Sequence, residues 1–154
     1  MNGRIVVILV VGVTAVFAGA QWWFQTRAYY ETVSEAGVAM TLAHETQGAA
    51  PLEFDTFEAI DADTSPLRFR ACVTLSQADR ALLDGATPHP DPTPLIAPDW
   101  FECFDAAAIG AALEDGRAQA FLAQADIHPG ADRVIAVFPD GRAYAWNQLN
   151  GTLE

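Results

Sequence analysis

Residues 67–75 read LRFRACVTL, with Leu67, Phe69, Ala71, Val73 and Leu75 at every second position and Arg68, Arg70, Cys72 and Thr74 between them. Side chains of a strand point alternately to its two faces, so this stretch predicts a β-strand carrying an aliphatic stripe toward a core. Its phase puts Cys72 on the opposite face, where a second layer can meet it. Upstream, Thr64-Ser65-Pro66 is a turn signal, and residues 52–63 (LEFDTFEAIDAD) alternate apolar and acidic residues. There Leu52 and Phe54 lie in one phase and Phe57 and Ala59 in the other, which predicts a strand with a bulge near Thr56.

Downstream, Ser76 caps a short helix running to Leu83 and closed by Asp84-Gly85. Residues 87–98 (TPHPDPTPLIAP) hold five prolines, a composition incompatible with helix or central strand, and predict an extended surface loop. Asp105 is placed to cap a helix over 106–114, ended by Asp115-Gly116. Residues 117–127 fit helix or strand. Residues 133–138 and 142–146, joined by Pro139-Asp140-Gly141, read as a β-hairpin. Nearer the N-terminus, 37–42 is a candidate strand and 44–51 (HETQGAAP) is loop-like. Antiparallel strands, two short helices and a closing hairpin indicate the α+β class.

The first residues are of another kind. Residues 5–20 (IVVILVVGVTAVFAGA) carry no charge, and the apolar run continues past Gln21 through Trp22, Trp23 and Phe24. A run of ~20 residues matches the hydrocarbon thickness of a bilayer, and a lone segment in lipid must be helical to pair its backbone. Trp22, Trp23, Tyr29 and Tyr30 then suit the lipid–water boundary. Gly12, Ala15 and Gly19 fall on one helical face, where small side chains let another membrane helix approach. The predicted order is a cytoplasmic end at 1–4, an anchor at 5–24, a connector at 25–36 and a periplasmic domain at 37–154. A cleaved signal peptide is the rival reading, because Ala18-Gly19-Ala20 fits the small-x-small cleavage rule. Both readings export the remainder.

Charge follows the same division. Residues 1–30 contain no acid, whereas 31–154 hold all 20 acids against six Arg, a net of −14. Nucleic acid is thereby excluded as a partner, since phosphate binding needs clustered cations. Cys72 and Cys103, the only cysteines, both lie in the exported part, and an oxidising compartment favours pairing them. Closing the loop of ~31 residues between them stabilises a fold by roughly 3–4 kcal/mol. Two reduced buried thiols are the alternative.

Catalytic patterns are not evident. His44-Glu45 superficially resembles a histidine-kinase box, but Gly48 and Pro51 follow at once and no nucleotide-binding boxes exist. Asp61-x-Asp63-x-Ser65 begins like a calcium loop, yet Pro66 and Cys72 stand where its Gly and bidentate Glu belong. His44, His89 and His128 lack ligand spacing. No G-x-S-x-G, Walker or H-E-x-x-H motif occurs. No cofactor is expected. Trp100, Phe101 and Phe104 flank Cys103 and are read either as core around the bridge or as an exposed contact for a partner.

The segments MNGRIVVILVV, LRFRAC, DWFECFDAAAIGAALE and DRVIAVFPDGRAYAWNQLN resemble an uncharacterised family of small, single-span alphaproteobacterial proteins. That resemblance covers most of the chain, including Cys72, Cys103, Trp146 and the 139–141 turn, and brings no catalytic residues with it. A lone anchor with a packing face, a small acidic body and no catalytic motif lead instead to the expectation of a non-catalytic subunit or assembly factor of an inner-membrane complex, with basic periplasmic proteins as further partners. A periplasmic small-ligand-binding or sensing domain comes second, and a thiol or metal-handling enzyme third.

Overall fold

A computed structural model of the chain describes residues 2–44 and 48–152. Two units emerge, residues 1–30 and 31–154. The first is helix α1, Gly3–Thr26, which is apolar nearly throughout and buries none of its residues. At ~1.5 Å per residue its 24 residues reach about 36 Å, enough to cross a bilayer. It exceeds the predicted anchor by two residues at either end.

The second unit contains β1 (Glu31–Val33), a 3₁₀ turn (Glu35–Gly37), β2 (Thr41–His44), β3 (Gly48–Pro51), β4 (Phe54–Asp61) and β5 (Arg70–Leu75). There follow α2 (Gln77–Ala81), α3 (Ala106–Glu114), β6 (Gln119–His128), β7 (Ala131–Val137) and β8 (Arg142–Leu149). Six strands form one antiparallel sheet in the order β1-β4-β5-β8-β7-β6, and β2 and β3 form a separate pair. This is the α+β domain read from the sequence.

Both faces of the sheet carry packed side chains, one of them only in part. On one, the register aligns Ala59, Ala71, Ala145 and Ile135 across four strands, with Val73, Ala143 and Val137 in the next row. Met40, Leu42 and Leu52 pack there, with Leu82 and Leu83 beside them. Alanines across the sheet centre let these layers approach closely. At its far end Arg133 stands over the Phe69 ring at 3.8 Å and donates to Asn147 Oδ1 at 3.0 Å. Burial pulls the Arg133 guanidinium down to about 10, with Asp61 opposing the shift. The other face carries Arg70, Cys72, Tyr144 and the fully buried Trp146, paired across β5 and β8.

Several elements match the reading of the sequence closely. Ser76 Oγ accepts from Asp79 N and Asp105 Oδ1 from Ala108 N, so both helices have their anticipated caps. The β4 bulge falls between Phe54 and Thr56. Other elements differ. Residues 37–42 are not one strand: a 3₁₀ turn ends at Gly37 and β2 starts at Thr41. Residues 48–51 of the expected loop are β3 and His44 ends β2, while 45–47 lie outside the described residues. Glu31–Val33, within the expected connector, pairs with Ala59–Asp61 of β4 as an edge strand. Of the ambiguous residues 117–127, all from Gln119 onward are strand, because β7 offers a partner and a register shift near Leu122 absorbs the broken alternation.

Candidate functional site: a cleft between the proline-rich segment and helix α3

The proline-rich segment is held by the residues between its prolines. Prolines 88, 90, 92 and 94 have no N–H, so Thr87 donates to Ala43 O (2.8 Å), His89 to Ala120 O (2.9 Å) and Thr93 to Gln148 Oε1 (2.8 Å). Leu122 N in turn donates to Thr87 O, which covers part of the β6 edge. Gln148 is 6% exposed; its Oε1 also accepts from Trp146 Nε1 and its Nε2 donates to Asp91 O.

Arg70 makes the second attachment. Only 3% exposed, it donates to Leu95 O and Ile96 O of the segment and to Leu67 O and Phe69 O of its own turn. All four acceptors are backbone carbonyls, so its charge is stabilised by oriented dipoles. The third attachment is the disulfide Cys72–Cys103, with Cα atoms 6.2 Å apart. Next to it Phe104 meets Tyr144 and Trp146 edge-on, with centroids at 6.1 and 6.4 Å.

These attachments bury two of the three aromatics offered for partner contact. Phe101 and Phe104 are 8% and 5% exposed and cannot serve as surface anchors, because the bridge and Arg70 draw their segment onto the sheet. Trp100 is half-buried and edge-on to Phe101. On α1, Gly12, Ala15 and Gly19 are exposed, and a Cβ at Gly12 or Gly19 would meet nothing within 4 Å. Trp22, Trp23 and Tyr29 are exposed and Tyr30 is half-buried, while Arg27 lies 6.0 Å from the Trp23 ring.

The histidines are scattered. His44 is not an exposed loop residue: it ends β2, is half-buried, and its Nε2 is buried without a described hydrogen-bond partner. His128 ends β6 on the surface. Among the described residues, no group of three or more His, Cys, Asp or Glu side chains is arranged to hold a metal ion.

His89 opens onto a feature that sequence reading did not reach. Between residues 89–94 and the second half of α3 runs a cleft of about 620 Å³, with Ala118 and Ala120 among its lining residues. Its volume is in the range of ligand sites. Asp91 and Glu114 are exposed along it, and among the described lining residues there is no Arg. His89 Nδ1 is buried and has no described partner. Burial lowers the His89 pKa, against the opposing pull of Asp132 and Asp91. Gly110 sits on the helical wall, and a Cβ there would meet nothing within 4 Å. The one signal available in the sequence was a glycine inside a predicted helix.

No curated protein and no solved structure matches the chain. A family model does match, over residues 38–154, a span that holds the cleft, the bridge and the covered sheet but not the apolar helix. The chain therefore belongs to DUF6446, a family of unknown function.

Proposed function

We propose that the protein is a membrane-anchored accessory protein, a non-catalytic subunit or assembly factor of an inner-membrane complex, with its domain in the periplasm. The observation that carries this reading is the join between its two parts. Four residues, 27–30, separate an exposed apolar helix from the first strand of the domain. A connector of that length extends at most ~14 Å, which leaves a short tether between them. Small residues along α1 favour contact with another membrane helix.

The surface of the domain supports a basic partner. Of its six Arg, Arg70 and Arg133 are buried, and Arg117 and Arg142 are paired with Asp115 and Asp140. Among the described residues of the domain, 15 acids are exposed against three exposed Arg, so the outward-facing charge is strongly negative. Such a surface steers basic proteins toward it and loses that pull as salt rises.

Affinity purification of the tagged native protein from membranes in mild detergent, followed by mass spectrometry, tests this reading. A defined set of membrane proteins should co-purify in fixed proportion. Recovery of the protein alone at low salt would count against it.

A further inference from the structure

Gly110 occupies the middle of a nine-residue helix, where glycine costs about 1 kcal/mol relative to alanine. Packing does not require it: a Cβ at this position meets open space, and the backbone there is helical. What the missing side chain does is keep the cleft wall low opposite residues 89–94. The cleft is therefore maintained at the expense of local helix stability.

Its chemistry selects the occupant. Proline rings and Leu113 give apolar walls, suited to an alkyl stem. Asp91 and Glu114 place two carboxylates along the opening, which repel anions and attract a cationic head. His89 lines the same wall, with its Nδ1 buried beneath the surface. A long side chain with an apolar stem and a cationic end meets both conditions, the apolar walls and the two carboxylates.

We propose that this cleft receives an arginine or lysine side chain of the basic partner protein. The assignment rests on the accessory-protein reading for the partner's existence, and it names the surface the partner engages.

The test uses the full-length, isotopically labelled protein in lipid nanodiscs at low salt. The probes are a short peptide with two arginines flanked by glycine and serine, and a matched peptide with glutamate in their place. With the arginine peptide, amide signals of Gly110, Leu113 and Ala120 should move, and with the glutamate peptide they should stay. Gly110→Phe, which fills the cleft, should weaken binding at least tenfold. Glu114→Gln, at an exposed position with no part in packing, should weaken it about threefold. Shifts spread over the acidic surface, or equal with both peptides, would overturn the proposal, as would binding unchanged by both substitutions. Cleft binding by a protein purified without partners would defeat the accessory reading alone. A stable membrane complex indifferent to Gly110→Phe and Glu114→Gln would defeat the cleft alone.

Discussion

The two faces of the sheet are closed in different ways. One is an aliphatic layer in which Ala71, Val73, Leu75, Ile135 and Val137 meet Met40, Leu42 and Leu52, and its cohesion is largely non-directional. The other is covered by a segment rich in proline, whose backbone supplies few donors, and directional attachments close it: Gln148, Arg70 and the Cys72–Cys103 bridge. Burial of apolar area tolerates exchange among similar side chains, whereas each directional attachment fails when one partner is removed. The cleft lies under the second cover, so its shape depends on particular residues.

The largest effect should come from Trp146→Ala. It empties a fully buried site, removes the ring that Phe104 packs against and frees one of the Gln148 hydrogen bonds. A loss of about 3–5 kcal/mol is expected in denaturant unfolding, a large share of a small domain's stability. Replacing both cysteines by serine should cost about 3–4 kcal/mol. Hydrogen exchange should then rise over residues 93–104 while Met40 and Leu42 stay protected. Equal loosening on both faces would show that the two faces are held in the same way.

Arg70→Met should cost about 2–3 kcal/mol, because four carbonyls lose a charged donor. Combined with the cysteine replacements, its cost should be less than additive, since both hold the same segment. Full additivity in a double-mutant cycle would show that the attachments act separately.

The smallest effect concerns pH. Burial disfavours the His89 imidazolium, so the unfolded chain binds the proton more readily than the folded one. The stability held by the neutral ring is therefore complete above about pH 6.5 and falls as pH drops from there through the lowered folded value. His89→Gln should flatten that part of the stability profile. An unchanged slope would contradict the burial of this ring.

How much of this was legible in the sequence follows from the same division. The strand of residues 67–75 was readable in phase because one face is aliphatic, although the strand begins only at Arg70, after the turn. Both helix caps and the closing hairpin were equally open, since local chemistry specifies them. Strand β3 was hidden because GAAP has neither alternation nor β-branched residues, and β1 because three residues carry no period. The attachments were hidden for another reason. In an alternating pattern Arg70 and Gln148 read as solvent-facing, and only the arrival of distant carbonyls and amides makes their burial favourable. The cleft joins His89 to Gly110, a pairing that tertiary packing creates and no local pattern announces.

We propose that the apolar helix carries an acidic, disulfide-bridged domain out of the cytosol while staying in the membrane. Alkaline phosphatase fused after Glu154, which is active only when exported, tests it most directly. Strong activity retained in the membrane fraction is the predicted result. An inactive fusion, whose green-fluorescent counterpart glows in the cytosol, would contradict it.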